Sequence, residues 1–195
     1  MNNIMNLSEL TIRLPSWVGP FLAGQPELFP SREGRMGLAI ELARANIRHG
    51  TGGPFGAAVF DPSGRLLAVG MNIVTAAGCS LLHAETVALV FAQREAGSYD
   101  LGAGGTRQCE LYASTEPCAM CFGAIPWSGV SLLVCGARSE DARAIGFDEG
   151  DKPESWVASL EQRGIGVERD LLREEAAAVL REYAARGGEL YTPRR

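Results

Sequence analysis

The sequence predicts an α/β fold, a three-layer α/β/α sandwich over a five-stranded mixed, mostly parallel sheet. Helix-like and strand-like segments alternate along the 195-residue chain in the order α, β, β, α, β, α, β, α, β, α. The run VSLLVCGAR at 130–138 is apolar for most of its length and of β character, which is typical of a strand buried on both faces. A helical segment separates the fourth and fifth strands, and this favours a right-handed crossover between parallel strands.

The domain boundary is expected near residue 30. Residues 1–30 carry four prolines and little periodicity, which predicts an irregular extension packed on the domain or on a second subunit. Residues 31–195 are expected to form a single domain that includes a C-terminal helix and tail.

The first half of the domain is predicted to be a helix, a hairpin and a second helix. Ser31 suits the N-cap of the first helix, and Gly50 follows its end. The turn Asp-Pro-Ser-Gly at 61–64 has proline and glycine at positions that β-turns prefer, so a strand is expected on either side. The second helix is expected from Ala84 to about Ala96 and is mostly apolar all round, which indicates burial.

The second half is predicted to alternate between strands and helices. Pro117 suits the first position of a helix. In order, the elements are a strand in CELYAST, a short helix from about Pro117 to Pro126, the strand at 130–138, a helix from about Glu154 to Arg163, a strand in IGVERDL and a final helix in LREEAAAVLREYAARGG.

Composition and charge narrow the class of function. The chain is 46% hydrophobic and 21% charged, which indicates a globular domain with a sizeable core. Its net charge is −5 and it has a single lysine, so a small neutral substrate is expected and nucleic acid is not. No apolar run reaches the roughly 18 residues of a membrane span, and the N-terminus lacks the pattern of a secretory signal. We therefore expect a cytoplasmic protein without a membrane partner.

A histidine and two cysteines have the spacing of a zinc site. The five cysteines are odd in number, which argues against a disulfide framework, and only Cys118 and Cys121 are closely spaced. Three positions apart on one helical turn, they can point two sulfurs at one ion. His83, at the start of another helix, can supply the third ligand, and a catalytic zinc leaves its fourth position to water.

Glu85 lies two residues after His83 and is the expected base. Two thiolates and one imidazole donate more charge to zinc than three histidines do, so a neighbouring carboxylate is needed to take the proton of the water. Each motif also has a plainer explanation, because C-x-x-C is often structural or redox-active and His-x-Glu can simply begin a helix. If Cys79 were a fourth ligand, the chain would be a zinc-stabilised binding module rather than an enzyme.

The residues HAE at 83–85 and PCAMC at 117–121 resemble the zinc signature of the cytidine deaminase superfamily. The resemblance extends over about residues 52–149. It implies a cytidine deaminase-like fold, one Zn²⁺ per chain and hydrolytic deamination.

Three segments that extend beyond this signature are most similar to bacterial guanine deaminases. They are 52–72, 114–130 and 146–151. The similarity implies a free purine base as substrate, with guanine converted to xanthine and ammonia, and aminotriazines such as ammeline as further substrates. The alternatives are a tRNA adenosine deaminase and other nucleoside or cytosine deaminases. The acidic net charge argues against a tRNA substrate.

The resemblance also implies roles for residues around the base. Glu85 would take a proton as water adds to C2, and Glu85 with Glu149 would deliver protons so that ammonia leaves. Asp148 is the neighbouring candidate for this second acid. The further substrate contacts that the resemblance implies are Asn72, Phe55, Ala57, Ala84, Trp127, Phe147, Asp148 and Tyr191.

Several of these residues have an ordinary structural alternative. The loop GGPFGA can be merely a tight turn, Trp127 and Phe147 can be core residues, and DEGD can be a solvated acidic turn. In guanine deaminases of this type, the C-terminal segment covers the active site of the other subunit of a dimer. The resemblance therefore implies a homodimer in which GGELYTPRR, with Tyr191, has this position.

Overall fold

The computed structural model describes residues 11–191, and these residues form eight α-helices and five strands. The strands are β1 (Gly56–Phe60), β2 (Leu66–Met71), β3 (Glu110–Thr115), β4 (Leu132–Ala137) and β5 (Gly166–Glu168). The helices are α1 (Val18–Ala23), α2 (Arg32–Arg48), α3 (Val74–Ala77), α4 (Ala84–Ala96), α5 (Ala119–Ser128), α6 (Ser139–Ala144), α7 (Trp156–Glu161) and α8 (Arg173–Ala185).

The five strands form one mixed sheet in the order β2-β1-β3-β4-β5. Strand β1 pairs antiparallel with β2 and β3, whereas the pairs β3–β4 and β4–β5 are parallel. Four strands therefore run in one direction and β1 opposes them. The predicted five-stranded mixed sheet and its parallel β4–β5 pair are confirmed.

Helices cover both faces of the sheet, so the predicted three layers are confirmed. Helices α2 and α8 enclose one core, whereas α4, α5 and α7 enclose the other. Successive residues of β3 enter opposite cores, with Leu111 in the second and Tyr112 in the first. This alternation follows from the two-residue period of a strand and accounts for the apolar character of the central strands.

Two local predictions are confirmed by their hydrogen bonds. Ser31 caps α2, because its hydroxyl accepts a hydrogen bond from the backbone N–H of Gly34 at 3.1 Å. In the hairpin turn, Asp61 Oδ1 accepts hydrogen bonds from the N–H groups of Ser63 at 2.9 Å and Arg65 at 3.1 Å.

The described part of the N-terminal extension differs from the predicted irregular chain because it contains α1. Pro20 lies in the first turn of this helix, where an N–H group has no partner within the helix. Val18 is buried in the first core. The proline content therefore did not prevent a helix, and this segment packs on its own domain.

Helix α5 begins later and ends later than predicted. Cys118, rather than a residue before Pro117, is its N-cap and has an extended backbone. The helix continues past Pro126 to Ser128, because a proline so close to the C-terminus removes only one helical hydrogen bond. The short helices α3 and α6 were not predicted, since four and six residues are too few to show a clear period.

Within residues 11–191, no helix combines the length and the apolar character that a membrane span requires.

Candidate active site

A cavity of about 310 Å³ lies where the N-termini of α4 and α5 meet, and it is lined by His83 and Glu85 of one predicted motif and by Cys118 of the other. The segment after β2 leads to α4, and the segment after β3 leads to α5. The volume is at the lower end of the range of about 300–1,000 Å³ that small-molecule sites occupy. The cavity therefore suits a compact ligand such as a single heterocyclic base.

His83, Cys118 and Cys121 form one cluster at this cavity. The Nδ1 atom of His83 lies 3.4 Å from the Cys118 sulfur and 3.6 Å from the Cys121 sulfur, and all three donor atoms lie within 4.8 Å of one another. His83 and Cys118 are the N-cap residues of α4 and α5, so both have extended backbones that turn their side chains toward the same point. Two sulfurs and one imidazole nitrogen are a donor set that Zn²⁺ prefers.

The charges of the two sulfurs also suit a bound cation. The pKa of Cys118 falls to about 4, chiefly because the Cys121 thiol donates a hydrogen bond to its sulfur. The same hydrogen bond, together with burial, raises the pKa of Cys121 well above its usual value. One proton is therefore shared between the sulfurs, and a metal ion that binds both would replace it. Among the described residues, Cys79 is not part of the cluster.

Glu85 lies in the first turn of α4 and is buried against the cluster. Burial raises its pKa to about 7, and the negative charge of Cys118 contributes to the rise. Its side chain lines the cavity together with His83 and Cys118. A carboxyl group so placed can accept a proton from a reactant in the cavity and return it.

Glu149 brings a second buried carboxyl group to the same cavity. It lies in the loop after α6, and its backbone oxygen accepts a hydrogen bond from the N–H of Ala119 at 2.8 Å. Its side-chain Oε2 is buried and has no hydrogen-bond partner among residues 11–191. Burial, reinforced by the charges of Cys118 and Glu85, raises its pKa to about 8.

Asp148 also lines the cavity but has a different environment. It is exposed, and its Oδ1 accepts a hydrogen bond from the N–H of Gly150 at 2.8 Å, so it stabilises its own turn. Of the two neighbouring acids, Glu149 has the buried and unpaired oxygen that a reactant would meet.

Four other predicted residues meet on the remaining wall of the cavity: Phe55, Asn72, Phe147 and Tyr191. The ring of Phe147 contacts those of Phe55 and Tyr191, with centroids 4.9 and 5.3 Å apart. Asn72 Oδ1 accepts a hydrogen bond from the N–H of Val74 at 3.3 Å. The buried hydroxyl of Tyr191 has no hydrogen-bond partner in the described part of the chain, and the ring lies in the cavity of its own chain.

Three predicted contacts are not on the lining of this cavity. Ala57 in β1 and Ala84 in α4 are buried behind it. Trp127 is 81% exposed on α5, so it is neither in this cavity nor in the core of this chain. The prediction for Trp127 was wrong in both alternatives, because α5 is apolar on all sides and its sequence does not indicate which side faces the sheet.

The structure also adds Glu116, which lines the cavity and was not singled out as a site residue. Its buried carboxylate pairs with Arg169 at 2.6 Å and lies 3.8 Å from Lys152 Nζ. Lys152 Nζ in turn donates a hydrogen bond to the backbone oxygen of Pro117 at 2.8 Å. The position of Glu116 directly before Pro117 could have indicated a site residue. Its partners Arg169 and Lys152 could not be inferred, because both are distant in sequence.

Comparison with known proteins agrees with this geometry. The family model for the cytidine and deoxycytidylate deaminase zinc-binding region matches residues 31–137. Guanine deaminase of Bacillus subtilis is 38% identical over 121 residues, which cover 59% of this chain and 74% of that protein.

Solved structures are similar over nearly the whole chain. The structure of guanine deaminase from Nitrosomonas europaea has a TM-score of 0.85 and 51% identity, with coverage of 91% of this chain and 97% of that chain. A structure of a variant of NE0047 in complex with 8-azaguanine has a TM-score of 0.86 and 51% identity, with coverage of 91% and 98%. Because the family model matches more than half of the chain, this protein belongs to the zinc-dependent cytidine and deoxycytidylate deaminase family.

Proposed function

We propose that this protein is a zinc-dependent guanine deaminase that converts guanine and water to xanthine and ammonia. The observation that carries the proposal is the convergence of two buried carboxyl groups, Glu85 and Glu149, on a His-Cys-Cys cluster in a cavity the size of one base. The similarity to guanine deaminases over nearly the whole chain supports the same substrate.

The proposed chemistry begins with water. Zinc, when bound, supplies a Lewis acid that lowers the pKa of a water molecule and so makes a nucleophile available near neutral pH. Glu85 takes the proton of this water as its oxygen adds to C2 of the base. The bond from C2 to the exocyclic amine then breaks, and the proton held by Glu85 goes to this amine, which leaves as ammonia. The proton of the added hydroxyl moves to ring nitrogen N3, so that C2 becomes a carbonyl carbon of xanthine.

Glu149 is proposed as the second group that moves or holds a proton. Its buried Oε2 has no partner among the residues that the structure describes, which costs stability unless a ligand hydrogen-bonds to it. A guanine ring offers N–H groups and an amine that would satisfy this oxygen. Asp148 is already bonded to Gly150 and is proposed only to shape the loop.

The remaining wall is proposed to bind the ring. Phe55 and Phe147 would contact its faces and edges, and the Asn72 amide and the Tyr191 hydroxyl would hydrogen-bond to its polar groups. The similarity to guanine deaminases favours a free base over a nucleoside or a polynucleotide. The net charge of −5 further disfavours tRNA.

A substrate panel tests this proposal. Purified protein with one equivalent of zinc is incubated with guanine, adenine, cytosine, guanosine, cytidine and ammeline, and the ammonia released is measured. We expect turnover of guanine to xanthine and slower turnover of ammeline, which presents a similar amine beside ring nitrogens. Turnover of another base without turnover of guanine would remove the proposed substrate and leave the deaminase assignment in place.

We extend the proposal to a cytoplasmic homodimer. Trp127 on α5 and Val90 on α4 are large apolar side chains that are exposed in the single chain, and a second subunit would cover them. Measurement of the mass in solution for the wild type and Trp127→Glu tests this. A monomeric wild type would contradict it.

A further inference from the structure

Asn46 connects two segments of the cavity wall from behind. It lies near the C-terminus of α2, is completely buried and does not line the cavity. Its Nδ2 donates hydrogen bonds to the backbone oxygen of Gly53 at 2.8 Å and to that of Asn72 at 2.7 Å. One amide group therefore joins the loop that leads to Phe55 with the segment that carries Asn72.

The two segments are packed so closely that a small displacement of either backbone would change the shape of the cavity. A Cβ atom on Gly52 would overlap the backbone oxygen of Asn72, and one on Gly53 would overlap the hydroxyl of Tyr191. The backbone N–H of Asn72 also donates to the oxygen of Phe55 at 3.1 Å. Asn46 thus holds the backbone that places Phe55 and Asn72 in the proposed base-binding wall, and Tyr191 packs against this backbone at Gly53.

The two backbone carbonyl groups orient the Asn46 amide, because they can only accept, and Thr51 and Trp17 support this orientation from the other side. Thr51 Oγ1 donates a hydrogen bond to Asn46 Oδ1 at 2.6 Å, and it accepts one from the indole Nε1 of Trp17 at 3.0 Å. The threonine oxygen accepts from the indole, and its own hydrogen goes to Asn46, where Oδ1 is the nearer acceptor and the backbone oxygen lies farther away at 3.4 Å. The amide oxygen then faces Thr51 and the NH₂ group faces the two carbonyl groups. The ring of Trp17 is itself stacked on His49, with centroids 5.3 Å apart.

We infer that Asn46 is a positioning residue for purine binding, and that Trp17, acting through Thr51, supports the orientation of its amide. Trp17 precedes the matched family region at 31–137, so the inference gives the N-terminal segment a role in the active site. It rests on the proposed function, since the affected step is binding of the base to the wall formed by Phe55, Asn72 and Tyr191.

Three variants test the network, and two of them, Asn46→Asp and Thr51→Val, leave the shape of the side chain nearly unchanged. Asn46→Asp puts an oxygen where the NH₂ group stands, Thr51→Val removes the hydroxyl, and Trp17→Phe removes the indole N–H but keeps an aromatic ring against His49. With zinc content matched, the KM for guanine and the Kd for 8-azaguanine should rise by about tenfold, threefold and twofold respectively, as expected for the loss of buried hydrogen bonds. The kcat should change by less than about threefold, because the metal ligands and Glu85 are untouched.

Two comparisons separate positioning from mere loss of stability. Thr51→Ser keeps the hydroxyl and should bind like the wild type. Ser128→Ala removes a buried hydroxyl that donates to the Ile125 backbone oxygen at 2.7 Å, and it should lower the melting temperature without changing Kd. If Trp17 acts through Thr51, the double variant Trp17→Phe/Thr51→Val should have the same Kd as Thr51→Val alone.

The inference is overturned if Asn46→Asp and Thr51→Val lower the melting temperature while KM and Kd keep their wild-type values. A fall in kcat with unchanged KM would overturn it too. If Asn46→Asp does not fold, Thr51→Val and Trp17→Phe decide the outcome. Failure of the proposed function is seen separately, as a wild type that does not deaminate guanine, and the same KM ratios are then measured with the base from the panel that it does deaminate.

Discussion

The two walls of the cavity are built in different ways. The metal-side wall consists of His83, Glu85, Cys118 and Cys121, which all lie at the N-termini of α4 and α5. The base-side wall consists of Phe55, Asn72, Phe147 and Tyr191, which come from loops and from the C-terminal segment. The first is made of two short motifs on rigid helices, whereas the second collects four separate pieces of chain.

This difference separates chemistry from recognition. A helix N-terminus holds its first residues in a fixed geometry and favours negative charge, which suits thiolates and a carboxylate. Substitutions in the loops can change the size and polarity of the base-side wall without changing the residues of the metal-side wall. Changes to the metal-side wall should therefore lower kcat, and changes to the base-side wall should mainly raise KM.

Removal of the metal should have the largest effect. Dialysis against a chelator should abolish deamination, and one equivalent of Zn²⁺ per chain should restore it. The melting temperature should also fall, because an ion that binds only the folded state stabilises it. Elemental analysis and ammonia release are the measurements. Cys79→Ser, a change of a free cysteine outside the cluster, should leave both zinc content and activity unchanged. Full turnover by metal-free protein would contradict the assignment of the cluster.

Glu85→Gln should lower kcat by about 10²–10⁴-fold, the usual contribution of a general acid–base group. The amide keeps the shape of the side chain but cannot take the proton of water. Zinc content should stay at one ion per chain, and the melting temperature should be unchanged or higher, because a buried carboxyl group is replaced by a neutral one. An active variant would exclude Glu85 as the base. A variant that loses its fold instead of its turnover would favour a zinc-stabilised binding module.

The metal-side wall could be predicted from sequence because its information is local. The spacing of Cys118 and Cys121 within one helical turn, and of His83 and Glu85 at a helix start, suffices to place each pair. The same holds for the cap at Ser31 and for the hairpin turn after β1. In each case a few neighbouring residues determine the hydrogen bonds or the direction of the side chains.

The base-side wall and its supports depend on contacts that are distant in sequence. The resemblance to guanine deaminases pointed to Phe147 and Tyr191, but only the fold shows that both meet Phe55 in one cavity. The pairing of Glu116 with Arg169 spans 53 residues and has no local signature. Trp127 was misplaced because an entirely apolar helix gives no period from which its buried side can be inferred.

Glu149→Gln should lower kcat by about a hundredfold, within the range for a positioned proton donor. Glu149 belongs to a loop, as the base-side wall does, and yet it faces the metal-side wall. The variant therefore tests whether a loop residue can affect kcat. Asp148→Asn is the matched control, because it changes the neighbouring acid, which is exposed and bonded to Gly150. Its kcat should stay within about twofold of the wild type, as is usual for surface substitutions. The opposite ranking of the two variants in ammonia-release assays would make Asp148 the second acid.

Tyr191→Phe should have the smallest effect of these changes on deamination. The effect should be on binding of the base rather than on the chemical step. The change removes a single buried hydroxyl that has no hydrogen-bond partner within residues 11–191. A net hydrogen bond is worth about 0.5–1.5 kcal/mol, so KM for guanine should rise by about 2–10-fold with kcat unchanged. The melting temperature should not fall, because no hydrogen bond within the protein is lost. Tyr99→Phe, at a tyrosine that is 83% exposed, is the matched control and should change neither constant. If Tyr191→Phe lowers kcat and leaves KM unchanged, this hydroxyl acts in the chemical step, and the base-side wall takes part in more than recognition.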